Sequence, residues 1–434
     1  MLTCILVNIT YNFKSMYALK LELKLNNKER SRLAGCAGFS RFVFNFGLAL
    51  LTQSWAWTDV KAGDSKRLGA IEKVFTNHVK TNPDYAWMQK YPSAIYSQAF
   101  RHLGDAIKRW RQGKGRFPKF KRKRDKDSFT VLKKSGVYPA KGQPMIQFTN
   151  RQVLYPGKGI TIPGLGDFKV KRPIPYLCSS QTFTIARHAD KWYVSFTIDA
   201  QKVPPTHHEV AVVGIDLGVK TFATLSDNST IDAPNSIKIA KTKLGKEQWR
   251  NRKRQHGRSK RGIPTSRNAK KFYDKVAQRH ARIANIRQDF LQKVTTAISR
   301  KYYRIRIEDL NVSGMMRHSK LSDAIGNLGF YEFRRQLTYK QDFYGTVVEL
   351  VDRWYPSSKT CSDCGHVQQM TLRDRTFTCK GCGVVKCRDF NASVNLENAP
   401  NAQVRRATAE LNACGEEGAD SPRGSRKQTS KRKS

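Results

Sequence analysis

The chain has 434 residues, of which 80 are Lys or Arg and 34 are Asp or Glu, so its formal net charge is +46 and its pI is about 10.2. So large an excess of positive charge indicates that the protein binds a polyanion, namely nucleic acid. This interpretation is favoured over one in which the charges are merely solvated at the surface. Its 39% hydrophobic residues suffice for two or three compact domains, which excludes disorder throughout. Since it shows no run of eighteen apolar residues and no clear cleavage site, we expect a cytoplasmic protein without a membrane partner.

The first part of the chain changes from a strand pattern to a helical one. Tyr17 to Leu25 alternates leucine with polar residues and predicts a half-buried strand, and Asn26 or Asn27 can cap the following helix. From 28 to 115 apolar residues recur at steps of three and four, which predicts a small helical bundle with a basic face. Its tryptophans, Trp55, Trp57 and Trp87, are interpreted as packing residues rather than base-stacking ones.

Basic segments and short strands follow. Arg116 to Asp127 interleaves phenylalanine with charge and predicts an exposed connection beside phosphates, the alternative being a solvated linker. Four short runs predict strands that form a small β-barrel with the first strand: Met145–Phe148, Ile160–Pro163, Phe183–Ala186 and Trp192–Ile198. Apolar residues from Phe272 to Ile298 mark the inner face of a long basic helix. Cys414 to Ser434 predicts a disordered basic tail.

Three acidic residues stand at the ends or starts of predicted elements. Asp216 ends the buried strand pattern VAVVGID, and Gly214 and Gly218 leave room beside its carboxylate. Glu308 ends the strand pattern RIRIE, and Asp389 precedes a helical pattern. Carboxylates are the ligands that Mg²⁺ prefers, and two such ions support phosphodiester hydrolysis. Each acid alone would be interpreted as a cap or surface residue, so the hypothesis depends on the three together.

Four of the nine cysteines form two CxxC pairs, Cys361 with Cys364 and Cys379 with Cys382. A glycine follows each pair and permits the tight turn that aims both thiolates inward. Four thiolates close a tetrahedral site, so we expect a structural zinc ion, the alternative being a redox-active disulfide. Cys387, five residues after Cys382, is interpreted as a packing residue, the alternative being that it substitutes as a ligand.

These motifs together resemble the TnpB family, also called OrfB. The resemblance is carried, in this order, by GIDLGVKTFATLSDN, RIRIEDLNVSGM, CSDCG, CKGCG and RDFNASVN. It extends over nearly the whole chain through PSAIYSQAFRHLGDAIKRW, GRFPKFK and NACG. One position departs from it, since many relatives carry an acid where this chain has Cys387.

The resemblance implies an α/β multidomain fold. An RNase H-like (RuvC) domain would be split by a zinc-ribbon insertion and preceded by a wedge-like β-barrel that contains a helical-bundle insertion. The expected parts are a first barrel strand (1–27), a helical recognition bundle (28–115), the rest of the barrel (116–209), RuvC-like motifs I and II with the basic helix (210–356), a zinc knuckle (357–385), motif III (386–412) and the tail (413–434).

The resemblance also implies a function. TnpB proteins are encoded by prokaryotic insertion sequences, and the family's activity is RNA-guided DNA cleavage next to a short adjacent motif. Asp216, Glu308 and Asp389 would be the three RuvC acids, holding Mg²⁺ or Mn²⁺, and the four cysteines would hold Zn²⁺. The implied partners are a guide RNA from the transposon end and double-stranded target DNA, near the nucleoid. Since the triad is intact, cleavage competence is expected.

Two other readings stay open at the level of sequence. GIDLG also resembles the first phosphate loop of sugar kinases and Hsp70-like ATPases, although a second glycine-rich nucleotide loop is not evident. Alternatively the basic surface and the knuckle make a non-cleaving RNA- or DNA-binding regulator in which the acids are incidental. The sequence does not indicate the oligomeric state.

Overall fold

The computed structural model describes residues 15–55, 63–123, 126–133, 151–175, 177–200, 208–254, 264–317, 322–371 and 374–408. These residues form two compact units. One takes in the described residues up to Arg32 and between Lys126 and Ala409, and the other those between Leu33 and Asp125. Trp57, the strand predicted at Met145–Phe148 and the tail predicted from residue 413 lie outside the described residues.

The described part of the chain starts with a strand and three α-helices: β1 (Ser15–Lys24), α1 (Asn27–Ser54), α2 (Asp64–Val74) and α3 (Ser93–Arg111). A π-helical turn (Phe75–Val79) and a 3₁₀ helix (Pro83–Lys90) lie between α2 and α3. Asn26 caps α1 as predicted, because its Oδ1 accepts a hydrogen bond from the backbone N–H of Glu29 at 2.8 Å. The Glu29 carboxylate accepts one from the backbone N–H of Asn26 at 2.8 Å, which completes a capping box.

The helical unit is built around α1. This helix is long and apolar enough to cross a membrane by length and composition, with an 18-residue window of mean hydropathy 1.4. Half of that window is buried, and a Cβ at Gly47 would lie within 3.0 Å of Phe100 and Leu103 on α3. Core helices pass the same test of length and composition, and these contacts make α1 the core helix of this unit.

The tryptophans of the helical unit pack incompletely. Trp55 is half-buried and stacks on Trp110, with ring centroids 5.8 Å apart. Trp87 makes edge contacts with Phe39 and Phe42 but stays 38% exposed. The packing interpretation therefore holds for Trp55 and only in part for Trp87.

Among the residues described after these helices are seven strands: β2 (Ser128–Leu132), β3 (Gln152–Leu154), β4 (Gly157–Ile162), β5 (Gly166–Ile174), β6 (Cys178–Ser180), β7 (Thr182–His188) and β8 (Lys191–Ala200). Six strands form an antiparallel sheet in the order β2-β7-β8-β1-β5-β4, and β3 pairs with β6. The first strand thus pairs with segments more than a hundred residues away. Within the described residues β2 and β4 are unpaired edges, so closure into a barrel stays a prediction.

The next part of the chain alternates strands and helices: β9 (Val210–Leu217), β10 (Ala223–Leu225), β11 (Thr230–Ile231), α4 (Asn235–Arg250), α5 (Arg267–Lys301), β12 (Tyr302–Glu308), α6 (Val312–Met316), α7 (Ser322–Leu328), α8 (Phe330–Tyr344) and β13 (Val347–Val351). The last part contains β14 (Thr376–Thr378), β15 (Val385–Cys387), α9 (Arg388–Glu397) and β16 (Val404–Arg406).

A mixed six-stranded sheet has the order β11-β10-β9-β12-β13-β16, with β9, β12 and β13 parallel to one another. Its strands alternate between two covered faces. Val213, Ile215, Ile305 and Ile307 belong to a core shared with α5 and α8. Gly214 and Arg306 alternate with these residues along their strands, so they lie on the opposite face of the sheet, where they contact α9. This mixed sheet, covered by helices on both faces, makes the unit α/β, as expected.

Candidate active site and four-cysteine module

Alternation along two neighbouring strands places two of the three predicted acids on one face. Asp216 is two residues beyond Gly214 on β9, and Glu308 is two residues beyond Arg306 on β12. Both carboxylates therefore project from the face that α9 covers, at the carboxyl ends of adjacent parallel strands. Ile307 pairs with Ile215, which puts the two acids at the same level of the sheet.

The third acid is brought to the same edge by α9. Asp389 lies in the first turn of this helix. Four residues later, the backbone oxygen of Ser393 would lie within 3.0 Å of a Cβ at Gly214, as would the backbone nitrogen of Glu397. The room that Gly214 leaves beside the Asp216 carboxylate is thus filled by the α9 backbone.

Arg306 fixes the other end of α9. Its side chain, largely buried in the sheet, donates to the carbonyl oxygens of Glu397 at 2.7 Å and Ala399 at 2.9 Å. The same guanidinium pairs with Glu349 at 2.8 Å. A cation at the last carbonyls of a helix is favoured by the helix dipole and satisfies acceptors that have no partner within the helix. Sequence reasoning missed this residue, although an arginine inside a buried strand pattern is a signal.

Burial and neighbouring acids raise the pKa values of Asp216 and Glu308. Burial raises the pKa of Asp216 to about 7, with further contributions from the negative charges of Asp389 and Glu308 and opposition from Arg388. Burial also raises the pKa of Glu308, helped by the charge of Asp309. Within the described residues, no basic side chain makes an ion pair with any of the three. The site is therefore a concentration of unneutralised acid in a strongly basic chain.

The raised pKa of Asp216 predicts a pH-dependent stability. A carboxyl whose pKa is near 7 when folded and near 4 when unfolded stabilises the fold fully below pH 4, and that contribution is lost as pH rises through 7. In buffer without added divalent cations, Asp216→Asn should unfold like the wild type at pH 4 and be more stable by about 4 kcal/mol at pH 8. Urea denaturation across this range measures the difference, and a difference independent of pH would contradict the assigned environment.

Asp309, next to Glu308, has the opposite environment. It is 7% exposed and accepts hydrogen bonds from Arg334 at 2.6 Å, Arg405 at 2.7 Å and Arg353 at 3.1 Å. Although burial alone would raise its pKa, the bonds from Arg405 and Arg353 lower it. Asp309 is thus a structural carboxylate that joins three elements, whereas Glu308 keeps its oxygens available. Sequence reasoning did not foresee this role for Asp309.

The four predicted cysteines converge in a module formed by the segment before β14 and the turn before β15. Cys361 Sγ lies 3.7 Å from Cys382 Sγ, and Cys364 Sγ lies 3.5 Å from Cys379 Sγ. Zn–S bonds of 2.3 Å in a tetrahedron place sulfurs roughly 3.8 Å apart, so the spacing suits that ion, whereas a disulfide requires about 2 Å. Of the residues described, only these four bring three or more ligand atoms within 4.8 Å of one another.

The two halves of the module have matching backbone turns. Gly365 and Gly383 both have φ of 74° and donate to the carbonyls of Cys361 and Cys379 at 3.0 Å. These φ values lie in the left-handed region, which residues with a side chain rarely adopt. The tight turn that the sequence predicted at the glycine after each CxxC pair is therefore present. Backbone N–H groups of Cys382 and Gly381 lower the pKa of Cys379 to about 6, which favours its thiolate. Cys387 is exposed, so the prediction that it packs is wrong. It is not a member of the four-cysteine cluster.

Comparison with known proteins identifies the family. Residues 195–319 match the IS605 OrfB family described as "Probable transposase", and residues 330–396 match the Cas12f1-like TNB domain. A protein of Streptomyces pristinaespiralis named "Putative RNA-guided DNA endonuclease" is 31% identical over 85% of this chain and 84% of its own length. InsQ of Escherichia coli K12, given the same description, is 30% identical over 93% of this chain and 95% of its own length. The chain therefore belongs to the OrfB (TnpB) family.

A solved structure is similar at lower identity. The structure of a Cas12f1–sgRNA–target DNA complex has a chain that matches 89% of this chain and 99% of its own length, with a TM-score of 0.48 and 15% identity. So distant a likeness assigns no residue of the present site.

Proposed function

We propose that this protein is an RNA-guided, Mg²⁺-dependent DNA endonuclease. The observation that carries the proposal is the convergence of Asp216, Glu308 and Asp389 at one edge of a parallel sheet, without a basic partner among the described residues. The names of the two bacterial relatives, which match nearly the whole chain, support the same activity. A non-cleaving regulator would not require these three acids to lie at one edge of the sheet.

We interpret the mixed sheet as an RNase H-like (RuvC) sheet. The antiparallel β11, β10 and β9, followed by the parallel β12 and β13, support this interpretation, as does the position of an acid at the ends of β9 and β12. In the same interpretation, the four-cysteine module is a zinc ribbon inserted before the helix that carries Asp389. We likewise interpret the antiparallel sheet β2-β7-β8-β1-β5-β4 as part of the expected wedge-like barrel.

The donor set suits hard divalent cations. Carboxylate oxygens are the ligands that Mg²⁺ and Mn²⁺ take in preference to sulfur or imidazole, and the site contributes three such groups. When bound, Mg²⁺ supplies Lewis acidity that activates water and offsets phosphate charge. Asp216, which holds a proton near neutral pH, would release it on becoming a ligand. Glu308 and Asp389 would hold the cation with it, and Arg388 would add positive charge that attracts the scissile phosphate to this edge of the sheet.

Basic surfaces would hold the nucleic acids. The segment from Arg116 to Lys123 is largely exposed and includes Phe120, which is 53% exposed. The outer face of α5 carries exposed lysine and arginine residues. Such surfaces bind phosphate backbones without reading the sequence, so a paired guide would supply specificity and high salt would weaken binding.

Copurification with nucleic acid tests the proposed partner. The protein should be expressed together with its native flanking DNA, purified at moderate salt and analysed by RNA sequencing. We expect one discrete RNA species that contains transposon-end sequence. Recovery of heterogeneous RNA in proportion to its cellular abundance would instead support a basic binding protein without a guide.

A further inference from the structure

Two buried asparagines connect α9 to the four-cysteine module. Asn391 is fully buried; its Nδ2 donates to the Thr360 carbonyl at 2.7 Å, and its Oδ1 accepts from the Ser362 backbone N–H at 2.9 Å. Asn395, 5% exposed, donates to the same Thr360 carbonyl at 2.6 Å and to that of Ser357 at 2.7 Å. These bonds hold the backbone that leads into Cys361.

The positions along α9 separate two faces. Asp389, Ser393 and Glu397 recur every four residues, and the latter two meet the sheet at Gly214. Asn391 and Asn395 are also four residues apart and lie roughly 200° around the helix from Asp389. The helix is therefore held between the sheet and the module, with the acid towards the sheet and the amides towards the module.

Arg388, in the first turn of α9, also bonds to the module. Arg388 donates to the carbonyl oxygens of Thr371 at 3.2 Å and Asp374 at 3.3 Å, and its backbone N–H donates to Arg375 at 2.9 Å. These acceptors belong to the segment between the two CxxC pairs. The first turn of α9, which is only ten residues long, is thus bonded to the module on both sides of Asp389.

We propose that Asn391 and Asn395 are positioning residues. Through them, the position of Asp389 depends on the four-cysteine module being folded around its metal. Buried amides that are hydrogen-bonded to backbone atoms favour one geometry, and removal of one leaves backbone groups of the module unsatisfied. The module in turn has a small apolar core around Phe377, so it depends on its metal to keep Thr360 and Ser362 in place. The inference rests on the proposed function, since it concerns the third acid of that site.

The test measures metal binding on the full chain, not only cleavage. Asn391→Ala, Asn395→Ala and the control Asn398→Ala, whose side chain is exposed at the end of the same helix, are compared with the wild type. Zinc content is measured by mass spectrometry, Mn²⁺ affinity by titration calorimetry, and backbone protection of residues 388–397 by hydrogen exchange. For Asn391→Ala we expect zinc to be retained and Mn²⁺ affinity and kcat to fall about 10–100-fold, with an unchanged KM for DNA. Asn398→Ala should match the wild type in every measurement.

Removal of zinc by a chelator provides the second arm. In the wild type, zinc removal should expose residues 388–397 to hydrogen exchange and lower Mn²⁺ affinity about 10–100-fold. In Asn391→Ala the same treatment should cause little further loss of Mn²⁺ affinity. Unchanged Mn²⁺ affinity in both asparagine variants would overturn the inference, as would loss of zinc from both, because the asparagines would then hold the module and not the acid. If Asp389→Asn itself leaves Mn²⁺ affinity unchanged, the proposed function fails instead.

Discussion

Glu308→Gln should lower the rate of DNA cleavage on the order of 10³–10⁴-fold while leaving the free energy of unfolding equal to or above that of the wild type. The carboxylate lies among other acids without a basic partner in the described structure, so its neutral isostere removes a ligand and relieves repulsion. Single-turnover cleavage and urea denaturation of the same preparations measure both effects.

The neighbouring residue provides the matched comparison. Asp309→Asn should keep the metal ligands but lose about 2–3 kcal/mol of stability, because three arginines lose the carboxylate that neutralises them. The expected loss of stability is smaller than for a fully buried ion pair because Arg353 and Arg405 are partly exposed to solvent. Equal effects of Glu308→Gln and Asp309→Asn on cleavage and on stability would show that the two acids do not have the separate roles assigned here.

Gly214→Ala should be the most destabilising single-methyl change in the mixed sheet, at about 3–4 kcal/mol. The added Cβ meets backbone atoms of Ser393 and Glu397, which cannot move aside as a flexible side chain could. Because the displaced helix carries Asp389, cleavage should fall together with stability. Thermal denaturation and the cleavage rate at a temperature where the variant stays folded measure the two losses separately.

Gly245→Ala is the control for this substitution. Gly245 lies within α4, is exposed, and a Cβ there meets nothing within 4 Å. Alanine in a helix interior should therefore stabilise the protein by up to about 1 kcal/mol without an effect on cleavage. A Gly214→Ala variant as stable as Gly245→Ala would disprove the close packing of α9 on β9.

The sequence indicated the position of each acid because local patterns decide it. The β-branched runs before Asp216 and Glu308 form β9 and β12, and the helical pattern after Asp389 forms α9. The inner face predicted from Phe272 to Ile298 likewise lies on α5, with Ile283 and Ile298 buried. Periodicity identifies such elements because each buries one face against a single core.

What the sequence could not show are contacts between distant segments. Gly214 was expected to leave room beside the Asp216 carboxylate, but the sequence did not indicate that a helix nearly 180 residues later in the chain fills this room. Asp309 was not separated from Glu308, because its three arginines come from α8, the segment after β13 and β16. Asn391 bonds to backbone atoms about 30 residues earlier. No local pattern encodes which partner a polar side chain will find.

The most direct test of the nuclease proposal is cleavage of a duplex that matches the copurified RNA, with randomised flanking sequence, in the presence of Mg²⁺. The wild-type complex should cut at defined positions beside one enriched flanking motif, and Asp389→Ala should bind the same RNA and DNA without cutting. Cleavage that survives in Asp389→Ala, or a wild-type complex that binds the matched duplex in Mg²⁺ and leaves it intact, would contradict the account.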